Sequence, residues 1–290
     1  MSVAIPEKLL AACRGSNERQ HWLGGLADVV DELLDIWSLR IAAPRPSTEA
    51  TCAWVVPVER RDGASAVLKI GLPHLEARDE GPGLRFWAGE PTVRLLEYIG
   101  EYNALLLERC DPGTSLREWP EAYQDEVIAN MLKRLRRTPP PSGEFRHLSV
   151  MTAYWSNETN AQASAWPDPG LVQEGQRVFE ELSRPAEDNV LLATDLHAGN
   201  VLASQRTPWL VIDPKPFVGD PAYDATQHLL NCQARLRAKP QGTIRRFADQ
   251  AQVDAERLQL WLFARAAAEP RTHWTRASQE LATHLSRTLE

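Results

Sequence analysis

No run of apolar residues in this 290-residue chain approaches the roughly 20 that a membrane span requires. The first residues, Met-Ser-Val-Ala-Ile-Pro-Glu-Lys, lack the apolar core of a secretory leader. Cysteine is scarce and scattered: Cys13, Cys52, Cys110 and Cys232 form no Cys-x-x-Cys pair. That spacing excludes a zinc-ribbon site and a disulfide framework, and it implies reduced, buried thiols. A basic excess is missing too. The 32 Lys and Arg face 39 Asp and Glu, a formal charge of −7, which argues against a nucleic-acid partner. There is no internal repeat and no low-complexity tract. These absences together point to a cytoplasmic protein with no membrane and no nucleic-acid partner, and no feature specifies an oligomer.

What is present reads as a folded α+β chain, 43% hydrophobic and 24% charged. Trp22, Leu26, Val29, Val30, Leu33, Leu34 and Trp37 recur at helical steps, so the first 40 residues are predicted helical, with Asn17 as an N-cap. The runs 53–58 and 64–70 read as strands joined by the turn signal Asp62-Gly63. A helix is expected over 73–89, interrupted by Gly81-Pro82-Gly83, and strands over 92–99 and 104–108. The turn cluster at 111–115 is the expected domain boundary, giving a first domain of residues 1–110 and a second of 111–290. The second is predicted mainly helical, with a proline loop at 139–141, a β island at 190–213 and helices from about 223 to 288. The basic run ending at Arg137 reads as a helix C-terminus complementing its dipole.

The β island carries the chemistry. Asp195 and Asn200 are five apart, and Asp213 follows thirteen residues after Asn200. Each lies beside an apolar run (190–192, 201–202 or 209–212), so rigid strand ends would hold a loop bearing oxygen ligands. Phosphoryl transfer explains these residue types. Carboxylate and amide oxygens from Asn200 and Asp213 suit a hard cation such as Mg²⁺. A third carboxylate, Asp195, would take the proton of an acceptor hydroxyl. Positioning and electrostatics do most of the work in such a reaction.

These spacings resemble the protein-kinase-like superfamily. In detail, Thr194-Asp-Leu-His-Ala-Gly-Asn200, Ile212-Asp-Pro-Lys215 and Gly219-Asp-Pro-Ala-Tyr-Asp224 look like the aminoglycoside phosphotransferase branch. The group of streptomycin 6-kinases and hydroxyurea kinases is the nearest match, over about residues 50–265. The resemblance implies a bilobal fold, with a small antiparallel-sheet N-terminal lobe, a larger helical C-terminal lobe holding the acceptor pocket, and ATP with Mg²⁺ in the cleft. It implies that Lys69 contacts the α- and β-phosphates, with Glu80 as its partner ahead of Glu76. It places an adenine-reading hinge at 107–110, with Glu108 and Cys110 as cofactor-binding residues. His197 would pack inside the catalytic loop, ahead of a role as metal ligand, and Asp224, with Asp220 as a second candidate, would buttress the loop. Lys215 would either reach a phosphate or form a structural ion pair. Two departures stand out: no Gly-x-Gly-x-x-Gly lies between the first two strands, and Ala193-Thr194 stand where the family often has His-Gly.

The activity so implied is transfer of the γ-phosphate of ATP to a hydroxyl of a small-molecule acceptor, streptomycin-like or hydroxyurea-like, or another hydroxylated metabolite. Two rivals compete. A binuclear metallophosphoesterase would use Asp195-x-His197 and Gly219-Asp220, but it needs Gly-Asp-x-x-Asp, and Asp220 to Asp224 is one residue too long. A non-catalytic nucleotide-binding module would have lost core positions, whereas Lys69, Asp195, Asn200 and Asp213 are all present.

Overall fold

The computed structural model describes residues 3–42, 47, 50–139 and 143–286. Its elements begin with α1 (Glu7–Cys13), α2 (Asn17–Ile36), β1 (Leu39–Ile41), β2 (Ala53–Arg60), β3 (Ser65–Gly71) and α3 (Glu80–Trp87). Next come β4 (Leu95–Ile99), β5 (Ala104–Glu108), β6 (Pro112–Ser115), α4 (Glu121–Leu135), α5 (Leu148–Asn160) and α6 (Pro169–Leu182). Strands β7 (Val190–Leu192), β8 (Val201–Ser204), β9 (Trp209–Val211) and β10 (Phe217–Gly219) precede the last helices. These are α7 (Pro221–Asp224), α8 (Thr226–Asn231), α9 (Gln233–Ala238), α10 (Pro240–Ala251), α11 (Ala255–Ala268) and α12 (Arg276–Ser286).

The chain divides into two compact units, one of Met1–Thr114 with Ala203–Ile212 and one of Ser115–Leu202 with Asp213–Glu290. The boundary expected after residue 110 thus compares with a division after 114, and ten residues return to the first unit. Their return is held by backbone and side-chain bonds. Val93 and Val211 exchange N–H···O contacts with Val211 and Pro91 at 3.0 and 3.1 Å, and Arg206 pairs with Glu108.

Unit 1 is built on a five-stranded antiparallel sheet in the order β1–β2–β3–β5–β4. The period-2 alternation of a strand decides which side chain faces where. In β3, Ala66, Leu68 and Ile70 pack with Leu26, Val30 and Leu33 of α2 in one core. Val67, one residue out of phase, packs on the other face with Leu84 of α3, Leu105 and Leu107. Lys69 shares that second face with Val67, and its register partner is Leu105. The expected hairpin at Asp62-Gly63 forms, with Asp62 Oδ1 accepting from the Ala64 N–H at 3.0 Å and Gly63 at a φ of 81°.

Three local expectations change. Ser16 rather than Asn17 caps α2, its hydroxyl accepting from the Arg19 N–H at 3.3 Å. Gly81-Pro82-Gly83 does not interrupt a helix but opens α3; a proline in a first turn removes an N–H that has no intrahelical partner in any case. Strand β1, too short for a recognisable alternation, pairs with β2 through Ile41 and Val58. The proline loop at 139–141 lies outside the described residues except for Pro139, as do residues 287–290.

Unit 2 is mainly helical. Helix α11 is buried along most of its length and packs against α6 and α12, while α10 packs against α4. The basic run lies at the C-terminus of α4 as expected, with Lys133 and Arg134 in its last turn and Arg136 as its C-cap. The Arg136 side chain also donates to the carbonyls of Ala251 and Gln252 at 2.8 and 3.0 Å, closing the C-terminus of α10. Within this unit β7 and β10 pair antiparallel, Leu192 opposite Phe217, and hold the two ends of the segment that carries the candidate site. Among the described residues no helix is long and apolar enough to cross a membrane.

Candidate active site

In unit 1 the β3 lysine meets the first residue of α3. Lys69 Nζ donates to both carboxylate oxygens of Glu80 at 2.6 Å, and the two side chains are 9% and 1% exposed. Gly81 explains why the helix can start there: a Cβ on it would meet the Tyr98 ring at 2.5 Å. The structure therefore pairs Lys69 with Glu80. Glu108 and Cys110 lie at the end of β5 and just beyond it. The Glu108 carboxylate receives Arg206 at 2.8 and 2.9 Å and the Arg94 N–H at 3.0 Å. Burial pushes that carboxyl up, but these donors outweigh it and leave it below its ordinary value. The Cys110 thiol is pushed up to about 11 by burial and by the neighbouring Glu108 charge. It is an inert thiol.

In unit 2, β7 ends at Leu192 and the chain turns sharply. Thr194 has a φ of 49°, in the left-handed region that a β-branched residue avoids. Asp224 holds it there: the carboxylate accepts from the N–H groups of Ala193 at 2.8 Å and Thr194 at 2.6 Å. The Thr194 hydroxyl adds a bond to the Lys215 carbonyl at 2.6 Å. Asp224 is fully buried, and desolvation raises its pKa to about 6, against the pull of those two N–H groups and of Arg136 and Arg265. Where a glycine would take the turn without strain, this chain forces it with a buried carboxylate.

The turn presents Asp195. Lys215 Nζ bridges Asp195 Oδ2 at 3.0 Å and Asp213 Oδ2 at 3.2 Å. Asn200 Nδ2 donates to the Asp195 carbonyl at 3.0 Å and lies 3.5 Å from Asp195 Oδ2. Both neighbours of that nitrogen are acceptors, which fixes the amide orientation and leaves the Asn200 oxygen as the outward atom. Asp213 also has a left-handed backbone, with a φ of 52°. Lys215, which here forms an ion pair, thus ties Asp195 to Asp213, and Asn200 joins the cluster through Asp195.

His197 closes the loop as a neutral imidazole. Its Nδ1 accepts from the Gly199 N–H at 3.0 Å, so the proton sits on Nε2, 3.9 Å from Asp195 Oδ1. Burial holds it below its ordinary value, opposed by Asp195. A Cβ on Gly199 would meet the His197 ring, Cε1 at 2.7 Å and Nδ1 at 2.9 Å, so a side chain there would disturb the loop. Asp220 departs from the expectation that it supports the loop. It caps α7 through the Ala222 N–H at 2.9 Å and takes Arg257 Nε and Trp261 Nε1, each at 2.8 Å. Its oxygens are committed to tying α7 to α11, and the loop contacts fall to Asp224 alone.

Two residues of the site carry no spacing signal. Gln227 Nε2 donates to Asp195 Oδ1 at 2.7 Å, and Arg265 Nη2 donates to Gln227 Oε1 at 2.7 Å. The sequence hint for Arg265 was a single charge inside the apolar run 261–268.

Asn200 and Asp213 offer oxygen donors of the kind a hard divalent cation prefers. The Asp213 side chain is 36% exposed, and a cationic nitrogen already rests on its oxygen. No group of three or more His, Cys, Asp or Glu among the described residues could cage a metal by itself. This donor set fits Mg²⁺, which is held by one or two protein oxygens and keeps waters and phosphate oxygens for the rest.

The model of the aminoglycoside/hydroxyurea antibiotic resistance kinase family matches residues 40–276. The chain belongs to this family. It is 38% identical to a streptomycin 6-kinase of Streptomyces glaucescens over 232 residues, 77% of this chain and 73% of that one. It is 37% identical to a hydroxyurea phosphotransferase of Kitasatospora aureofaciens over 237 residues, 79% of this chain and 68% of that one. A solved choline kinase from Cryptosporidium parvum shares the fold, with a TM-score of 0.59 at 12% identity, covering 91% of this chain and 94% of that one. As a member of the kinase family, the chain is a phosphotransferase acting on a hydroxyl group.

Proposed function

We propose that this kinase transfers the γ-phosphate of ATP to a hydroxyl of a small acceptor of the streptomycin or hydroxyurea type, the acceptors named for its relatives. The observation that carries the reading is the cluster in which one ammonium, Lys215, spans Asp195 and Asp213 while Asn200 leans on Asp195. Asp195 accepts the proton of the acceptor hydroxyl as the new O–P bond forms and the bond to the ADP oxygen breaks. Lys69, oriented by Glu80, binds the α- and β-phosphates, and backbone groups near Glu108 and Cys110 read the adenine. The Glu108 N–H is already given to the Arg94 carbonyl at 2.9 Å, so the reading falls to its neighbours. Asn200 and Asp213 hold Mg²⁺, which when bound offsets the charge of the phosphates. Asp224 and His197 keep the loop in shape.

The test is ATP consumption with streptomycin and with hydroxyurea, each with and without Mg²⁺. Turnover with one acceptor, abolished by chelation, is expected. Asp195→Ala should lower kcat by about 10³-fold or more while ADP binding survives. Near-normal turnover by that variant would remove the base assignment.

A further inference from the structure

Asp195 is gripped on both sides. Lys215 occupies Oδ2 and Gln227 occupies Oδ1, so the carboxylate cannot rotate without losing one bond or the other. A glutamine amide can present either its oxygen or its nitrogen, and what lies behind it settles which. Arg265 is a pure donor, and it contacts Gln227 Oε1 at 2.7 Å. The amide nitrogen therefore must face Asp195.

Arg265 is itself an expensive fixture. Its side chain is 4% exposed, lying 5.2 Å from the Tyr223 ring centroid and 5.5 Å from that of Trp155. Glu269 pairs with it through Nε at 3.0 Å and Nη2 at 3.1 Å, and Nη1 is given to Thr226 at 2.8 Å. A buried guanidinium with every nitrogen engaged is a rigid reference point. It projects from α11, the buried helix of the unit, and not from a loop.

We propose that Gln227 is a positioning residue for Asp195, locked in its working orientation by Arg265. This rests on Asp195 being the proton acceptor. The relay Arg265–Gln227–Asp195 fixes the angle at which the carboxylate meets the acceptor hydroxyl, and it lends Asp195 the orienting field of a cation with no second positive charge in the site. Gln227 acts through the Asp195 carboxylate. Its contribution is to the chemical step and not to nucleotide affinity.

A double-mutant cycle tests it, using the full chain, ATP and whichever acceptor supports turnover. Gln227→Met keeps length and removes the amide. It is expected to lower kcat about 10- to 100-fold with KM for ATP and Kd for ADP within twofold. Gln227→Glu, nearly isosteric and able to keep Arg265, sets a carboxylate against Asp195 and should lose at least as much; it guards against a packing artefact in the first variant. In an Asp195→Asn background Gln227→Met should cost nothing further. The proposal is overturned if Gln227→Met keeps kcat within twofold, if its loss is in KM alone, or if its loss is undiminished in the Asp195→Asn background. Full turnover by Asp195→Asn would bring down the base assignment and this proposal with it, whereas an inactive Asp195→Asn beside a fully active Gln227→Met overturns only the positioning role.

Discussion

Two lysines in this protein do similar things with opposite consequences. Lys69 in unit 1 and Lys215 in unit 2 are equally buried, each side chain 9% exposed, and each meets two carboxylate oxygens near 3 Å or closer. Lys69 gives both contacts to one carboxylate, Glu80, which is 1% exposed and sits on the first turn of a helix. Lys215 divides its contacts between Asp195 and Asp213, which are 24% and 36% exposed and sit on strained or irregular backbone. A deeply buried ion pair carries stability as well as function, because losing one partner leaves the other charge poorly compensated. A shared ammonium beneath two half-open carboxylates is a matter of function, because water can take its place.

That contrast can be broken by experiment. Lys69→Met takes the ammonium away from buried Glu80 and is expected to cost about 3–5 kcal/mol in urea unfolding. The double variant Lys69→Met with Glu80→Leu should recover much of that stability and none of the turnover. Lys215→Met leaves carboxylates that solvent reaches and should cost about 1 kcal/mol or less. Equal losses at the two lysines would erase the distinction.

A second test concerns the carboxylate behind the loop. Asp224 has a folded pKa of about 6, raised by burial above the ordinary 3.8. The folded state thus binds a proton that the unfolded chain has released between those values, and stability falls as pH rises through that window. The loss is on the order of 3 kcal/mol from about pH 4 to about pH 6, and it is flat above. Denaturation curves at a series of pH values, taken as the difference between the protein and Asp224→Asn, should show that fall. A difference independent of pH would mean that Asp224 stays ionised throughout.

The same contrast explains what could be read in advance. The strand that carries Lys69 was legible from its apolar run and the Asp62-Gly63 turn, both local signals, whereas the role of the lysine came only with the family resemblance. Asp195, Asn200 and Asp213 were legible from spacing between apolar runs. Gln227 and Arg265 were not, since their partners lie 32 and 38 residues away and meet only when α8 and α11 pack. Asp220 was misread for the complementary reason. The family resemblance offered it a share of the duty of Asp224, yet the chain turns one carboxylate to the loop and the other to Arg257 and Trp261. The return of residues 203–212 to unit 1 is equally non-local, resting on Arg206 finding Glu108.

The smallest effect bears on the strain itself. Thr194 sits at a φ of 49°, a conformation costing an L-residue about 1–2 kcal/mol, with its hydroxyl bonded to the Lys215 carbonyl. Thr194→Ala removes the hydroxyl and keeps a Cβ in the left-handed backbone, so it should lose about 1 kcal/mol. Thr194→Gly loses the same bond but is relieved of the steric clash, and it should be the more stable of the two by roughly 1 kcal/mol despite the extra freedom of glycine in the unfolded chain. In ordinary backbone the order is the reverse, alanine above glycine, so the sign alone decides. Chemical denaturation of the two variants at one pH reads it directly, and alanine above glycine would mean that the turn into Asp195 is held without strain.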